Sequence, residues 1–264
     1  MPRQPTYFIS HGGGPWPWLA NMRAMLKNLE VSLARMPAEL PEKPRAILMI
    51  SGHWEDDAFA VMTAAHPGMT YDYYGFPPET YTISYPAPGA PDIARRAAKL
   101  IEAAGLPVRL DPDYGFDHGT FAPAVIMYPR ADVPIFQVSI QKGYDPAAHF
   151  ALGRALAPLR DEGVLIVGSG LSYHNLRLFG PGAREPSAAF DAWLAQVMAL
   201  PGKKRTEALM HWEDAPYARV CHAREDHLVP LFSALGAAED EKAVMTYHDT
   251  DLFGGVTASS YRIG

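Results

Sequence analysis

The sequence predicts an α/β protein, a single-domain αβα sandwich over residues 1–264 with a mostly parallel or mixed central sheet. Three observations carry this expectation. Ala46 to Ile50 and Val164 to Val167 are unbroken apolar runs. They are too short to cross a membrane and too continuous for a half-exposed strand, which is the pattern of strands buried on both faces of a parallel sheet. Stretches with apolar residues at helical spacing lie between such runs. Finally, 264 residues with 48% hydrophobic and 20% charged composition suit one large globular domain.

Taken in order, Thr6 to Ser10 reads as a short strand ending at His11. Gly12-Gly13-Gly14-Pro15-Trp16-Pro17-Trp18 follows, a loop whose glycines allow close backbone approach and whose tryptophans could wall a ligand. It lacks the Lys-Ser/Thr ending and the glycine spacing of a phosphate loop. Asn21 to Arg35 carries Met22, Met25, Leu26, Leu29 and Leu33 on one helical face, and Pro37 to Pro44 reads as its terminator and linker. The strand from Ala46 ends in Ser51-Gly52-His53-Trp54, placing His53 just past its carboxyl end. Open α/β sheets place their ligands in that crevice. Phe59 to Ala64 is a further strand.

Pro67 to Pro91 is long and dense in Tyr, Pro and Gly, and its length predicts an aromatic lid. Pro91 to Gly105 is a helix opened by proline and closed by glycine. Val108 to Leu110 is a short strand, Tyr114 to Thr120 a loop, Ala122 to Met127 a helical turn and Val133 to Ser139 a buried strand. Pro146 to Leu159 is an amphipathic helix. The run from Val164 then ends in Gly168-Ser169-Gly170-Leu171-Ser172-Tyr173-His174, a third strand leading into a histidine. Ser187 to Leu200, Lys204 to His211 and His227 to Leu235 read as helices. Ala243 to Tyr247 and Gly255 to Ile263 read as a terminal hairpin or sheet edge, which permits a homodimer.

The net charge of -6 argues against a nucleic-acid or anionic-membrane surface. The lone Cys221 excludes an intrachain disulfide and a cysteine-rich zinc module, and reads as a buried small hydrophobe. No stretch approaches the roughly 18 apolar residues of a membrane helix, so a cytoplasmic protein is the default expectation. Lys203-Lys204-Arg205 reads as a solvated helix start. Gly168-Ser169-Gly170 does not match the nucleophile elbow of a serine hydrolase.

Of ten histidines, His11, His53, His118, His174 and His227 stand at strand ends or in Gly/Asp-rich loops. Neutral imidazole is a common metal donor, because its lone pair needs no buried anion. One such histidine is ordinarily a capped loop residue, but several at strand ends in one fold point to a shared metal. His66, His149, His211 and His248 carry no motif and read as surface or structural. His222, five residues before His227, reads as a candidate substrate contact.

Ser10-His11-Gly12-Gly13-Gly14-Pro15, Ser51-Gly52-His53-Trp54, Tyr85-Pro86-Ala87-Pro88-Gly89, Gly115-Phe116-Asp117-His118-Gly119-Thr120, Gly168-Ser169-Gly170 with His174-Asn175-Leu176, and Asp226-His227-Leu228-Val229-Pro230-Leu231 occur in one order. Together they resemble the class III extradiol ring-cleavage dioxygenases, in the branch containing the 4,5-DOPA extradiol dioxygenases. The resemblance implies non-haem Fe(II), with Zn(II) as the alternative metal, and a small catecholic aromatic substrate with O2. It assigns His11, His53 and His227 to the metal, and His174 to a position beside the metal that the branch also treats as a ligand. His118 takes an acid/base position, and His174 or His118 would accept the proton of the bound catechol. Trp16, Trp54, Tyr74 and Phe116 are the expected apolar wall. The broader class uses two histidines and a carboxylate, so Glu225 and Asp226, which precede His227, leave the ligand set open. A zinc hydrolase on the same site and a non-catalytic binding protein of the same fold are the competing readings.

Overall fold

The computed structural model describes residues 2–264. The strands are β1 (Thr6–Ser10), β2 (Ala46–Asp56), β3 (Phe59–Met62), β4 (Val108–Asp111), β5 (Ile135–Gln141), β6 (Val164–Gly170), β7 (Ala243–Leu252) and β8 (Val256–Ile263). Among the described residues they form one eight-stranded mixed sheet in the order β4-β3-β5-β2-β6-β1-β8-β7. At its centre β5, β2, β6 and β1 run parallel. β1 and β6 are buried at every position, as unbroken apolar runs require when helices cover both faces.

The helices are α1 (Ala20–Met25), α2 (Lys27–Glu39), α3 (Pro91–Ala103), α4 (His118–Met127), α5 (Pro146–Leu156), α6 (Pro158–Asp161), α7 (Arg184–Met198), α8 (Gly202–Met210), α9 (Ala218–Cys221) and α10 (Val229–Gly236). Successive residues of a strand face opposite sides of its sheet, and β6 shows which helices lie where. A Cβ on Gly168 would meet Pro230 of α10, whereas the Ser169 hydroxyl donates to Gly119 O of α4. The two helices therefore cover opposite faces. None of the helices is long and apolar enough to cross a membrane.

The structure modifies several expectations locally. The helix predicted over 21–35 breaks at Leu26 into α1 and α2, and α2 runs through Pro37, which ends it within two residues instead of preceding a linker. β2 continues six residues past Ile50, so His53 lies within the strand and not beyond it. The pairing of β2 with β5 shifts register between Ser51 and Glu55, and His53 sits in that bulge. The predicted loop over 114–120 is half helix, because the Asp117 carboxylate accepts the Thr120 N–H and caps α4. Arg205 is not solvated. It is buried and donates from one Nη to Glu239 O at 2.7 Å and Glu241 O at 2.9 Å. β7 and β8 form the expected hairpin at the sheet edge, where β8 pairs antiparallel with β1.

Candidate metal and active site

The carboxyl ends of the parallel strands deliver the imidazoles. His11 follows β1, and its backbone N–H donates to Gly170 O at 3.2 Å, tying it to the end of β6. His53 comes from the bulge in β2. His174 follows β6 by four residues, and its N–H donates to Cys221 O. His118 is the first residue of α4, and His227 lies two residues before α10. The glycines of the strand-end motifs serve this convergence. A Cβ on Gly170 would lie 2.0 Å from His227 O, and one on Gly119 would lie 2.3 Å from the Ser51 hydroxyl and 3.0 Å from the His53 ring. Gly168-Ser169-Gly170 is thus a packing surface for the His227 segment, with Ser169 engaged by α4.

The five imidazoles share one cavity. Nε2 of His53 lies 3.1 Å from Nε2 of His227. His11 faces His53, His118 and His227 with ring centroids at 4.9, 5.2 and 5.1 Å. Donor atoms of His11, His53 and His118 fall within 4.8 Å of one another, and so do those of His174, Asp226 and His227. His174 stacks on His227 at 3.4 Å.

Two carboxylates stand behind the rings. Asp72 Oδ2 lies 3.0 Å from His53 Nδ1 and 2.9 Å from His118 Nδ1, and its Oδ1 accepts the His118 N–H at 3.0 Å. Asp226 Oδ1 accepts the His227 N–H and lies 3.3 Å from His174 Nδ1. It is 3.1 Å from His227 Nδ1, without the alignment of a hydrogen bond. Burial works to raise both carboxyl pKa values, but the facing imidazoles outweigh it and hold both well below the ordinary range. The Glu225 carboxylate is turned away and pairs with Arg219 at 2.6 Å. Asp72 thus faces His53 and His118, and Asp226 shares with His174 and His227 a group of donors that could hold a metal.

The donor set fits a cation. His11 is 1% exposed, yet neither of its ring nitrogens has a hydrogen-bond partner. Burial, reinforced by the neighbouring imidazoles, pushes the pKa of His11 and of His227 well below the usual histidine value, so both offer neutral lone pairs. Unpaired buried nitrogens are costly, and a bound metal would satisfy them.

The five motif histidines come together, and Tyr74, 91% exposed, stands at the cavity mouth. The other expected substrate contacts do not line the cavity. Trp16 is fully buried behind the loop and donates its indole N–H to His11 O at 2.8 Å, locking the histidine in place. Trp54 faces away from the site because it follows His53 in a strand, and it stacks on Tyr114 at 4.0 Å. Phe116 is core, on a segment bridged to Met69. His222 is buried between Phe190 and Trp212, with Nε2 3.1 Å from Ser172 O, and burial lowers its pKa to about 3.

Sequence reasoning missed Asp72, a lone acid among the aromatics of the lid. It also grouped Met22 and Met25 with Leu26, Leu29 and Leu33 on one helical face, whereas both methionines line the cavity and Met25 is exposed. The Asp117 cap was legible in principle, since Asp shortly before an apolar run marks a helix start.

The chain is similar to known proteins along its length. A protein from Hapsidospora irregularis named dioxygenase tasH is 38% identical, over 98% of this chain and 85% of that one. The 4,5-DOPA dioxygenase extradiol of Beta vulgaris is 38% identical over 97% of this chain and 95% of its own, and its Escherichia coli namesake 33% identical over 99% and 95%. The crystal structure of an uncharacterized Escherichia coli K12 protein superposes with a TM-score of 0.80 at 29% identity, covering 99% of this chain and all of the other. The family model described as the catalytic LigB subunit of aromatic ring-opening dioxygenase matches residues 20–264. The chain that gathers five histidines at the ends of its parallel strands belongs to this family of aromatic ring-opening dioxygenases.

Proposed function

We propose that this extradiol dioxygenase opens the ring of a small catecholic compound with O2, using non-haem Fe(II) held by His11, His53 and His227 with His174 beside them. The observation that carries this is the convergence of His53 Nε2 and His227 Nε2 beside the unpartnered nitrogens of His11, with Asp72 and Asp226 behind. Fe(II) supplies redox chemistry toward O2 and lowers the pKa of a coordinated hydroxyl, whereas Zn(II) fits the same donors without redox chemistry.

The side chains supply the rest. Asp72 lies 2.9 Å from His118 Nδ1 and orients the ring, so that Nε2 is the nitrogen positioned to take a proton from a catechol hydroxyl. His174 is a second proton acceptor, its Nδ1 facing Asp226. The same Asp72 oxygen faces His53, so the lid that covers the substrate also orients a ligand and a base. The lid is anchored by its own tyrosines: Tyr71 and Tyr73 donate to Ile83 O and Thr80 O at 2.7 and 2.6 Å.

The test is O2 uptake by metal-stripped protein reloaded anaerobically with Fe(II) or Zn(II), against a panel of catechols. We expect one O2 per catechol and a yellow ring-opened product with iron alone, abolished in His53→Ala. Turnover that proceeds with Zn(II) and without O2 would refute the proposal and favour a hydrolase.

A further inference from the structure

Away from the histidines the cavity changes character. Its outer wall is Met22, Met25, Phe76, Leu176, Phe179 and Phe253. Leu176 is 68% exposed, Met25 58% and Phe179 41%. Single exposed apolar residues are ordinary, but a cluster rimming a cavity marks a surface that binds something apolar.

The polar side of the balance is equally specific. Among the described residues, no lysine or arginine lines the cavity, and its charged lining group is Asp72. The lid from residue 67 to 90 contains neither lysine nor arginine. Arg23, on the helix that supplies Met22 and Met25, is paired with Glu30, and Arg184 is paired with Asp251 near Phe253. Arg177 is exposed and lies outside the lining. Two of the lining tyrosines have already committed their hydroxyls to backbone carbonyls, Tyr73 to Thr80 O and Tyr173 to Leu178 O. A carboxylate on the substrate's side chain would find no cation along this wall, and burying it unpaired is unfavourable.

We propose that the preferred catechol carries an uncharged apolar substituent, alkyl or aryl, lying against Leu176, Phe179 and Phe253, and that carboxylated or amino-acid catechols are disfavoured. The cavity measures about 590 Å³, within the range of small-molecule sites, which leaves space beyond a single ring. This specificity rests on the catechol reading above.

Binding and turnover separate the two. Dissociation constants for Zn(II)-loaded protein without O2 are measured by calorimetry for 4-tert-butylcatechol and 3-phenylcatechol against protocatechuate and DOPA. The neutral compounds are expected to bind about tenfold or more tightly, a discrimination on the scale available to an apolar pocket. Leu176→Arg should shift the ratio toward protocatechuate, and Arg177→Ala should leave it unchanged. Tighter binding of protocatechuate or DOPA overturns the proposal. So does loss of their binding in Arg177→Ala, which would make that arginine their carboxylate partner, or the failure of any catechol to bind. If the neutral compounds bind best but the Fe(II) protein consumes no O2, the dioxygenase reading fails while the pocket specificity stands.

Discussion

Replacing Asp72 by Asn tests whether the lid carboxylate sets the metal site. Asp72 faces three nitrogens: its Oδ2 lies 3.0 Å from His53 Nδ1 and 2.9 Å from His118 Nδ1, and its Oδ1 accepts the His118 N–H at 3.0 Å. Asparagine keeps the shape but offers one acceptor oxygen and one donor amide. If the amide nitrogen takes the Oδ2 position, it faces two ring nitrogens and favours tautomers with hydrogen on Nε2. That is the atom of His53 that approaches His227. If the amide nitrogen takes the other position, it opposes the His118 N–H. In the second orientation a buried donor loses its partner, at about 1–3 kcal/mol. Removing a carboxylate behind a ligating histidine typically weakens metal binding about 10–100-fold. We therefore expect Zn(II) affinity of Asp72→Asn to fall by about 10–100-fold, or about 1.4–2.8 kcal/mol. Competition with a chromophoric chelator measures it, and far-UV circular dichroism and thermal melting check that the fold survives. An affinity within about twofold of the parent, in a folded variant, would refute the assignment of Asp72 as the residue that orients the ligands.

Three further predictions concern the scaffold. His149 is buried and neutral by design: its Nδ1–H donates to Asp145 O at 2.8 Å, its Nε2 accepts the Gln141 N–H at 3.1 Å, and burial lowers its pKa to about 4. Since the unfolded chain takes up this proton near pH 6.5 and the folded chain does not, stability falls as pH drops from about 6.5 toward 4. His149 should contribute about 2 kcal/mol of loss by pH 5. Urea unfolding at pH 7.5 and 5 should show a shallower slope in His149→Gln, and an identical pH slope would contradict the assignment. Gly170→Ala puts a Cβ 2.0 Å from His227 O, and should cost about 1–3 kcal/mol in thermal or urea unfolding while weakening Zn(II) binding. An unchanged metal affinity would show that the His227 segment is not held by this contact. Arg160, 1% exposed, donates to Gln4 O, Ala237 O and Glu241 at 2.7, 2.8 and 2.8 Å. Arg160→Ala should destabilise by about 3–5 kcal/mol by urea titration, because buried acceptors and a carboxylate lose their partner together.

What could be read before folding follows from how local each signal is. The apolar runs at Ala46 and Val164 need no partner to declare a buried parallel strand, and they became β2 and β6. Pro91 and Gly105 bracket α3 because proline tolerates the first helical turn and glycine the left-handed residue after the last, where Gly105 has φ +75°. The strand-end histidines carried enough motif context to be grouped. Trp16, Trp54, Phe116 and His222 show the limit of the same reasoning. Their types suit a wall or a contact, but whether an aromatic faces a cavity or the core depends on the strand phase and on what packs behind it.

The sequence by itself therefore determined the αβα architecture, the family and the five histidines, since each is written in short-range pattern. Only the tertiary structure decided that Asp72 reaches over from the lid to two histidines distant in the chain, that Asp226 meets His174 and His227, and that the cavity wall is Met22, Leu176, Phe179 and Phe253. Those side chains come from segments far apart in the chain, and their meeting is fixed by sheet order and loop course. No local preference of the residues themselves encodes that.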